Sequence, residues 1–578
     1  MKILSLHCDY IRFKPIKKAI KNPQELTKEQ EKGKEVKEVL GIFTAVEKID
    51  ESNEKILEEY VRNVKELAGQ VKAENIVLYP YAHLSSSLSS PGFALEILEK
   101  AEKELSKDKK LKITRAPFGY YKEFELKCKG HPLSELSRSI GSGDIKVESG
   151  KTQIKPEKEY DYKQLLRELS KTKLDTSKLK ENDHRIIGQQ MDLYSFSDTA
   201  PGMVFWHNNG LIIKNELVSF WRELHKKEGY EEISTPQILD KRLWQISGHW
   251  EKYKDNIFLT EYEKKQFAVK PMNCPGGMLV YKNRPKSYKD LPLRVGELGV
   301  VHRQELSGVL GGLFRVIQFT QDDAHIFCTE EQLEEEILRI INIINQVYSK
   351  IFNFEYSIEL STRPEKRIGS DEIWDKAENI LESVLKKNKL KYKVNKGDGA
   401  FYGPKIDFHL KDSQGRTWQC ATIQLDFAMP ERFELEYNDK DNSRKRPIML
   451  HRVIYGALER FIGILIEHYN GRLPLWLSPL QVKVLSFTDR SEKYTKQIFE
   501  KLKQEIPNLR VELDLTQTTV QAKVKSAEIM RVPYILVIGD KEEKEKTIAV
   551  RTKGNKKIEN MKLDSFISLV KKEIEKRK

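Results

Sequence analysis

The sequence contains few cysteines and no long apolar run. Its 578 residues include five cysteines, at positions 8, 128, 274, 328 and 420, and no two of them form a CxxC pair. A zinc ribbon is therefore excluded, and an odd number of scattered cysteines predicts a reducing, cytoplasmic location. No apolar stretch approaches the roughly 18 residues that a membrane-spanning helix needs. The first residues, MKILSLHCD, predict a strand rather than a signal peptide.

Charge, in contrast, is abundant. Charged residues make up 33% of the chain and hydrophobic residues 39%, and the formal net charge is +14. The apolar share is too large for a disordered chain, and at roughly 150 residues per domain the length predicts about three or four domains. A net positive charge weakly favours a polyanionic partner such as RNA. The alternative is the lysine- and glutamate-rich surface of a heat-adapted protein, which charge alone favours slightly.

Changes in residue composition and hydrophobic pattern divide the chain into four predicted segments. The first, 1–140, alternates strand-like with helix-like stretches, which indicates a small α/β domain. The second, 141–183, is polar and rich in lysine and serine, which predicts a linker with a short helix over 162–170. The third, 184–477, is dense in charged and aromatic clusters, which predicts a large domain with a site. The fourth, 478–578, has βαβ texture and the size of an ordinary domain.

Hydrophobic periodicity locates individual elements within these segments. The predicted strands are 2–6, 41–46, 75–79, 111–116, 482–487, 511–515 and 534–538. The predicted helices are 54–68, 93–105, 331–350 and 494–506. The helix at 331–350 is the clearest of them, because its apolar side chains share one face.

Three side chains of the third segment could bind a metal ion. They are Cys274 in KPMNCPGG, His325 in FTQDDAHIF and His451 in LHR, separated by 51 and 126 positions. No local spacing rule makes them a metal site, and each alone is more often a packed core residue. One thiolate and two imidazoles would nevertheless suit Zn²⁺ with an open fourth coordination position.

Three arginines of the same segment could bind phosphate. Strands are expected at 301–305 and 313–319, around a glycine-rich turn, and this hairpin would carry Arg303 and Arg315. Arg460 lies near the start of a later helix. The planar guanidinium binds phosphate oxygens through two hydrogen bonds and stays charged. A single arginine usually forms a surface ion pair, but three in these contexts indicate nucleotide phosphates.

Five runs of sequence carry a family resemblance. They are 200–207 (APGMVFWH), 270–275 (KPMNCP), 319–328 (FTQDDAHIFC), 397–405 (GDGAFYGPK) and 418–427 (WQCATIQLDF). With them the chain resembles threonyl-tRNA synthetase over nearly its whole length. A motif 1 strand ending at Pro236, motif 2 with Arg303 and motif 3 with Arg460 resemble the three signature motifs of class II synthetases. Glycine stands at 277 and 311, where histidine is common in the family.

The resemblance implies a multidomain fold of α/β and α+β class. Residues 184–477 would form a catalytic domain on the antiparallel sheet of class II synthetases. Residues 1–140 would form a small α/β editing domain similar to D-aminoacyl-tRNA deacylases, joined by the linker 141–183. Residues 478–578 would form an α/β anticodon-binding domain.

The resemblance also implies a two-step reaction, in which threonine and ATP give threonyl-adenylate and the threonyl group then moves to tRNA. One Zn²⁺, held by Cys274, His325 and His451, would bind the amino group and hydroxyl of threonine. Arg303 would hold the α-phosphate of ATP and Arg460 the γ-phosphate, with Mg²⁺ neutralising the remaining charge.

Further side chains are implied around ATP and threonine. They are Glu305 at the adenine amino group, Phe319 stacked on the ring, Arg315, Gln321, Tyr402, Gln419, Thr422 and Gln424. His249 matches a residue implicated in acyl transfer. The alternative for His249, a packing histidine beside Trp250, carries similar weight.

A metal-centred amino-acid site should reject some analogues of threonine well and others poorly. Valine lacks the hydroxyl and would be rejected by ~10⁴-fold or more. Serine keeps both ligands and lacks one methyl group, which is worth only about 1–3 kcal/mol. A proofreading activity is therefore expected on physical grounds.

Three runs in residues 1–140 resemble the archaeal-type editing domain. They are 79–86 (YPYAHLSS), 115–122 (RAPFGYYK) and 128–138 (CKGHPLSELSR), and the chain has no His-xxx-His signature of the bacterial editing domain. By similarity, His83, Tyr121, Lys122 and Glu135 would hydrolyse seryl-tRNA through an oriented water. The alternatives are a solvated strand residue for Lys122 and a helix-start charge for Glu135.

Three runs near the C-terminus resemble the anticodon-binding domain of the threonine, proline, histidine and glycine enzymes. They are 531–534 (RVPY), 539–542 (GDKE) and 549–552 (AVRT). Glu542 and Arg551 would hydrogen-bond the exposed edges of anticodon bases. A solvated surface charge is the commoner fate of both residue types. The segment 514–519 departs from the family pattern.

The leading interpretation is a cytoplasmic enzyme that attaches threonine to tRNA, a homodimer through the motif 1 region. A second interpretation is another class II synthetase, such as the proline or serine enzyme, which the cysteine–histidine trio argues against. A third is a synthetase-like protein that binds RNA without catalysis, which the retained arginines and metal ligands argue against.

Overall fold

The computed structural model describes residues 1–20, 23–85, 87–131, 133–140, 162–169, 179–552 and 558–577. The chain divides into two units, Met1–Lys158 and Glu159–Lys578. Most of the predicted linker lies outside the described residues. Within it, the predicted short helix is present as α4, whose bounds are given below.

The first unit is a six-stranded sheet with helices. Its strands are β1 (Lys2–Lys18), β2 (Lys34–Ala45), β3 (Asn75–Pro80), β4 (Lys112–Arg115), β5 (Tyr120–Cys128) and β6 (Glu135–Ser139). Its helices are α1 (Lys28–Glu31), α2 (Ile56–Val71) and α3 (Pro91–Ser106). The strand order is β4-β3-β2-β1-β5, and β6 pairs with the first part of β1.

Strand alternation explains how this sheet is buried. Leu40 and Ile42 face the core formed with α2 and α3, whereas Val39 and Phe43 face a second cluster on the opposite side. β1 was predicted to end at residue 6 and continues to Lys18. In its second half, buried apolar side chains alternate with exposed basic ones. A prediction based on continuous apolar residues therefore ended the strand too early.

The second unit contains a large mixed sheet and a smaller C-terminal one. Its strands before the C-terminal sheet are β7 (Tyr194–Ser195), β8 (Phe205–Trp206), β9 (Glu231–Glu232), β10 (Ile238–Asp240), β11 (Leu259–Tyr262), β12 (Lys265–Val269), β13 (Leu293–His302), β14 (Gln318–Cys328), β15 (Glu355–Ser361), β16 (Tyr392–Asn395), β17 (Lys405–Lys411), β18 (Thr417–Asp426), β19 (Tyr437–Asn438), β20 (Arg444–Lys445) and β21 (Ile448–Val453). Its helices in the same region are α4 (Tyr162–Leu169), α5 (His184–Gln190), α6 (Asn208–Lys227), α7 (Lys241–Ile246), α8 (His249–Tyr253), α9 (Cys274–Lys282), α10 (Leu333–Asn345), α11 (Asp371–Lys387), α12 (Ala428–Arg432) and α13 (Leu458–His468).

The large sheet has the order β16-β15-β17-β18-β21-β14-β13-β9. Its central pairs are antiparallel, and only the outer pairs β15–β16 and β13–β9 are parallel. Apolar faces of α6, α10, α11 and α13 join one continuous core with the sheet. The predicted helix at 331–350 is α10 followed by a π-helical turn, Gln346–Ile351.

Two predictions about strands in this region are wrong in their bounds. The predicted hairpin strands at 301–305 and 313–319 are β13, which ends at His302, and β14, which begins at Gln318. Gly312 has a positive φ and starts a 3-10 turn, so the arginines lie on the loop. The predicted motif 1 strand is present only as β9, which ends at Glu232 and so does not reach Pro236. Thr235 does not extend the strand, because its N–H donates to the Glu297 carboxylate rather than to the backbone of a neighbouring strand.

The C-terminal sheet has the order β23-β22-β24-β25-β26. Its strands are β22 (Val482–Ser486), β23 (Val511–Asp514), β24 (Tyr534–Ile538), β25 (Ile548–Thr552) and β26 (Ile558–Met561), and its helices are α14 (Glu492–Glu505), α15 (Val520–Ile529), α16 (Asp540–Glu545) and α17 (Leu563–Glu575). β22, β23 and β24 are parallel, which agrees with the predicted βαβ texture.

Candidate functional site

Two of the three predicted metal ligands are cross-strand neighbours. His325 lies on β14 and His451 on β21, and the register of this antiparallel pair places them directly opposite each other. Cys274 is the first residue of α9 and is buried. One ligand atom of each side chain, sulfur or ring nitrogen, lies within 4.8 Å of the other two. The fold therefore brings together three residues that are far apart in sequence.

The surroundings of this trio fit a bound Zn²⁺. His451 Nε2 lies 2.8 Å from an Asp426 carboxylate oxygen, which leaves Nδ1 as the ligand atom and resembles the carboxylate–histidine arrangement of zinc sites. Burial raises the pKa of the Cys274 thiol well above its usual range and lowers the pKa of His325. A divalent cation favours the thiolate and the neutral imidazole, so it suits this set of donors.

A second group of possible ligands has a structural explanation. Asp183, His184 and Glu467 also bring ligand atoms within 4.8 Å of one another. His184 Nδ1 is 2.6 Å from Glu467 Oε1, and its Nε2 accepts a hydrogen bond of 3.0 Å from the Leu313 N–H. Both ring nitrogens of His184 are therefore engaged, and this group ties α5 to α13 and to the loop after Gly312.

Two adjoining pockets lie beside the trio, with volumes of about 180 and about 260 Å³. Arg303, Gln321 and Thr422 line both pockets, so they form the boundary between them. The first pocket is also lined by Cys274, Asp323, His325, Tyr402, Gln424 and His451. The second is also lined by Glu305, Arg315, Phe319, Gln419 and Arg460. The fold thus brings together the predicted metal ligands and the predicted ATP- and substrate-binding side chains.

Two of the three predicted phosphate arginines are held by backbone carbonyls. Arg303 Nε donates to the Pro271 carbonyl at 3.1 Å, and its guanidinium lies 5.2 Å from the centre of the Phe319 ring. Arg460 Nε donates to the Phe314 carbonyl at 2.9 Å. Each guanidinium keeps further N–H groups that can bind an anion.

The third arginine is paired within the second pocket. Arg315 Nη2 and Nε lie 2.8 and 3.1 Å from the same Glu305 carboxylate oxygen. These two side chains were expected to contact different parts of ATP, and here they contact each other. A nucleotide that uses both must compete with this ion pair.

Asp323 and Arg452 are charged residues of the first pocket's lining to which sequence reasoning gave no role. Asn273 Nδ2 donates to Asp323 at 2.7 Å, and burial raises the pKa of this carboxyl to about 6. Its position could have been found, because residues 321, 323 and 325 share one face of a strand. Arg452 is buried and stacks over the Tyr230 ring at 4.6 Å, a contact that no sequence pattern indicated.

His249 lies behind the first pocket rather than on its lining. It is buried, its Nδ1 is 2.8 Å from the Ser247 hydroxyl, and its ring is 6.0 Å from that of Tyr402, which does line the pocket. Burial lowers the pKa of His249 to about 3. The tryptophan that packs near His249 is Trp244, whose ring centre lies 6.2 Å from that of His249, rather than the expected Trp250. A role in acyl transfer stays a prediction.

The first unit contains a cavity of about 500 Å³ that three of its four predicted residues line: His83, Tyr121 and Lys122. Lys122 Nζ donates to the carbonyls of Pro117 and Tyr120, at 3.0 and 3.1 Å. Burial lowers the pKa of Lys122 to about 8. Lys122 is therefore not the freely solvated strand residue of the alternative reading.

Glu135 is not brought to this cavity. It begins β6 opposite Leu6 of β1 and is exposed, and it is absent from the cavity lining. It also starts a strand, so the alternative of a helix-start charge is wrong.

The two predicted anticodon residues, Glu542 and Arg551, contact different partners in the structure. Glu542 Oε2 accepts a hydrogen bond of 3.0 Å from the Gly539 N–H and so caps its own helix, α16. Arg551 lies on β25, with Nη2 3.7 Å from a carboxylate oxygen of Glu528. In the divergent loop, Asp514 accepts two hydrogen bonds from Thr516.

In the described parts of the chain, no helix combines the length and the apolar character that crossing a bilayer requires.

Three family descriptions match successive parts of the chain. Residues 1–140 match the archaea-specific editing domain of threonyl-tRNA synthetase. Residues 258–469 match the class II tRNA synthetase core domain (G, H, P, S and T). Residues 481–573 match an anticodon binding domain.

Curated relatives named threonine–tRNA ligase match the larger part of the chain. The protein of Caldanaerobacter subterraneus subsp. tengcongensis is 54% identical over 395 residues, which are 68% of this chain and 61% of the relative. That of Carboxydothermus hydrogenoformans is 54% identical over 375 residues, 65% of this chain and 59% of the relative. The chain thus spans about three fifths of the length of these relatives.

Solved structures agree with these matches. The RNA binding domain of threonyl-tRNA synthetase from Cryptosporidium parvum is 39% identical, with a TM-score of 0.65, and the match covers 68% of this chain and 98% of that one. A prolyl-tRNA synthetase from the same organism, 15% identical with a TM-score of 0.55 over 68% of this chain and 75% of that one, shares the fold. The predicted class II core, with an editing domain before it and an anticodon-binding domain after it, is confirmed, and the chain belongs to the threonyl-tRNA synthetase family.

Proposed function

We propose that this chain is a threonine–tRNA ligase. It joins L-threonine to ATP as threonyl-adenylate, transfers the threonyl group to the 3′ end of threonine tRNA, and hydrolyses seryl-tRNA in its N-terminal domain. The observation that carries the proposal is the cysteine–histidine trio in a small pocket that opens onto an arginine-lined one. This arrangement suits a small polar amino acid beside a nucleotide.

The first pocket would bind threonine. A Zn²⁺ held by Cys274, His325 and His451 would supply a Lewis acid for the amino group and hydroxyl. Asp323 faces the same pocket and suits the amino group as a hydrogen-bond acceptor. The threonine carboxylate would then point toward Arg303 at the boundary with the second pocket.

The second pocket would bind ATP as its Mg²⁺ complex. Arg303 would neutralise charge on the α-phosphate during in-line attack by the carboxylate, and Arg460 would hold the γ-phosphate. Phe319 would contact the adenine ring, with Glu305 at the amino group and Arg315 released from its ion pair. Gln321, Tyr402, Gln419, Thr422 and Gln424 would complete the polar walls, and His249 would act behind Tyr402 in transfer to tRNA.

In the N-terminal domain, His83, Tyr121 and Lys122 would orient a water toward the ester of seryl-tRNA. Glu135 would take part only if a second chain or the bound tRNA completed the cavity. Glu542 and Arg551 would read the anticodon after leaving their present partners.

The proposed domains are 1–140 for editing, 141–183 as a linker, 184–477 for catalysis and 478–578 for anticodon binding. The proposed assembly is a cytoplasmic homodimer through the motif 1 region.

A charging assay with threonine, serine and valine, before and after zinc chelation, tests the proposal. Threonine should be attached to tRNA, valine rejected by ~10⁴-fold, and all charging lost on chelation and recovered with added Zn²⁺. Serine should accumulate on tRNA when His83→Ala and Lys122→Ala are combined. Threonine charging that survives chelation would refute the metal site, and unchanged clearance of seryl-tRNA by the double variant would refute the editing role.

Threonine-dependent pyrophosphate exchange separates this proposal from the two alternatives. Exchange that depends on proline or serine instead would indicate another class II enzyme. Binding of zinc and tRNA without any exchange would indicate a protein that only binds RNA.

A further inference from the structure

Asp407 lies in β17 and is almost completely buried, with 1% of its surface exposed. Its carboxylate accepts hydrogen bonds from four side chains. Oδ1 accepts from Gln419 Nε2 at 2.6 Å and from Thr422 Oγ1 at 2.8 Å. Oδ2 accepts from Lys405 Nζ at 2.7 Å and from Ser361 Oγ at 2.8 Å. The oxygens of a carboxylate only accept hydrogen bonds, so all four neighbours are donors.

A bulge in the neighbouring strand brings two of these donors to the same side. Residues 419 and 422 would lie on opposite faces of a regular strand, because side chains alternate. The pairing of β17 with β18 shifts register at this point: Phe408 pairs with Ala421, but His409 pairs with Gln419. The extra residue, Cys420, lets both Gln419 and Thr422 reach Asp407.

The hydrogen bonds to Asp407 determine what the two side chains offer to a ligand. Because the amide nitrogen of Gln419 faces the carboxylate, its oxygen faces away. Because Thr422 gives its hydroxyl proton to Asp407, only lone pairs remain on that oxygen. Both side chains line the second pocket. This wall therefore presents hydrogen-bond acceptors.

The second pocket therefore has hydrogen-bond donors in one part of its lining and hydrogen-bond acceptors in another. Arg303, Arg315 and Arg460 supply only donors, which suit phosphate oxygens. The wall of Gln419 and Thr422 suits the part of a nucleotide that donates hydrogen bonds through hydroxyl groups, its ribose.

We propose that Asp407 is a positioning residue that holds Gln419 and Thr422 as acceptors, and thereby makes the pocket select nucleotides by their ribose hydroxyls. This inference rests on the proposed function, since it takes the second pocket as the ATP site. Asp407 itself contacts no nucleotide.

The test uses Asp407→Asn, which keeps the size of the side chain. The amide oxygen of this variant must face the Lys405 ammonium, so its NH₂ group faces Gln419. The Gln419 amide must then flip and present its own NH₂ to the pocket. The affinity for ATP should fall by about 2-fold to 10-fold, the usual weight of a lost hydrogen bond between neutral groups. Discrimination against 2′-deoxy-ATP and 3′-deoxy-ATP should fall with it, toward equal affinities.

A second substitution can restore the polarity. In the double variant D407N/Q419E, the new amide donates to one oxygen of the glutamate, and the other oxygen faces the pocket as an acceptor. Most of the preference for ATP over the deoxy-nucleotides should return. Thr422→Val removes one acceptor without altering Asp407, and should weaken the preference in the same direction as Asp407→Asn.

Asp412→Asn is the matched control. Asp412 is also buried and also accepts several hydrogen bonds, including those of Arg416 and Trp418, but it does not contact Gln419 or Thr422. It should lower the unfolding temperature without changing the ratio of affinities for ATP and the deoxy-nucleotides.

Equilibrium binding of each Mg-nucleotide to the full-length chain, with thermal unfolding of every variant, provides the measurement. The proposal is overturned if Asp407→Asn weakens ATP and both deoxy-nucleotides by the same factor, or if Q419E restores nothing to a folded double variant. Threonine-dependent pyrophosphate exchange by the unsubstituted chain tests the proposed function independently. A chain that binds ATP selectively but does not exchange would refute that function and leave this inference standing.

Discussion

Lys122 is a basic side chain whose charge changes within an accessible pH range. Burial lowers its pKa from 10.5 to about 8, so its ammonium form dominates below pH 8 and its neutral form above. Two of its protons point to backbone carbonyls, which leaves one for a ligand in the cavity. We expect the ammonium to stabilise developing negative charge on the ester, so seryl-tRNA hydrolysis should fall as pH rises through about 8.

The measurement is the rate of seryl-tRNA clearance over roughly 1.5 pH units either side of pH 8, after subtraction of uncatalysed hydrolysis. Lys122→Arg keeps its charge in this range and should flatten the profile. A rate that rises through pH 8 in the unsubstituted chain would instead identify the neutral amine as a general base. Since the pKa is lowered in the folded state, this group should also make folding more favourable as pH rises from 8 toward 10.5.

Cys274 and Cys328 offer a direct test of the metal site at the residue scale. Both are buried cysteines, but only Cys274 has its sulfur near the two histidines. Cys274→Ser should abolish stoichiometric zinc binding and threonine-dependent exchange. Cys328→Ser, three positions after His325 on the same strand, should retain both. Metal analysis of the two purified variants provides the measurement, and equal zinc content in both would contradict the assignment.

At the scale of single elements, Gly299 on β13 shows how a strand supports the loop that carries the proposed metal ligand Cys274. A Cβ atom at this position would lie 2.0 Å from the Asn273 side-chain oxygen. Asn273 precedes Cys274 and donates to Asp323, so its displacement must disturb both. Gly299→Ala should destabilise the fold by about 1–3 kcal/mol and weaken zinc binding.

Gly308 is the control for this change, because a Cβ atom there would meet no atom within 4 Å. Thermal unfolding and zinc affinity of Gly299→Ala and Gly308→Ala should therefore differ clearly. If the two variants bound zinc equally well, Asn273 would not support the metal-binding loop.

The same scale shows what sequence patterns can and cannot predict. The helix at 331–350 and the strand at 534–538 were found because their apolar side chains repeat with one period. The hairpin strands around Arg303 and Arg315 were misplaced, because a positive φ at Gly312 and packing of the following turn delay the second strand until Gln318. Cys274, His325 and His451 could be proposed from the sequence because cysteine and histidine are common metal ligands. Whether the two histidines lie close together depends on the register of β14 with β21, which the sequence does not show. Asp407 could not be found, because its role depends on a bulge.

At the scale of the whole second unit, α6 connects the large sheet with the C-terminal domain. Lys214 of α6 donates to Thr320 at 2.8 Å and to Glu459 at 3.0 Å, and Glu459 precedes Arg460. One turn or less further along α6, Glu216 lies 2.5 Å from Arg510, which precedes β23. The same helix therefore contacts Thr320 and Glu459, which are sequence neighbours of residues lining the second pocket, and the proposed anticodon-binding domain.

Arg510 is well suited to hold these domains together. It also donates to the carbonyls of Ser478 and Trp476, and burial lowers its pKa while the Glu216 carboxylate opposes that shift. Glu216→Gln should loosen the attachment of the C-terminal domain. Charging of tRNA should then fall several-fold, whereas threonine-dependent pyrophosphate exchange, which needs no anticodon contact, should stay near its normal rate.

The exposed pair Arg222–Glu232 supplies the control, since Arg222 lies on the same helix and such pairs contribute only about 0–1 kcal/mol. Glu232→Gln should leave charging and exchange unchanged. Comparing both rates and the unfolding curves for the two variants decides between a local and a connecting role for α6. If Glu216→Gln lowered exchange as much as charging, the ion pair would support the catalytic sheet itself, and the anticodon-binding domain would depend on other contacts for its attachment.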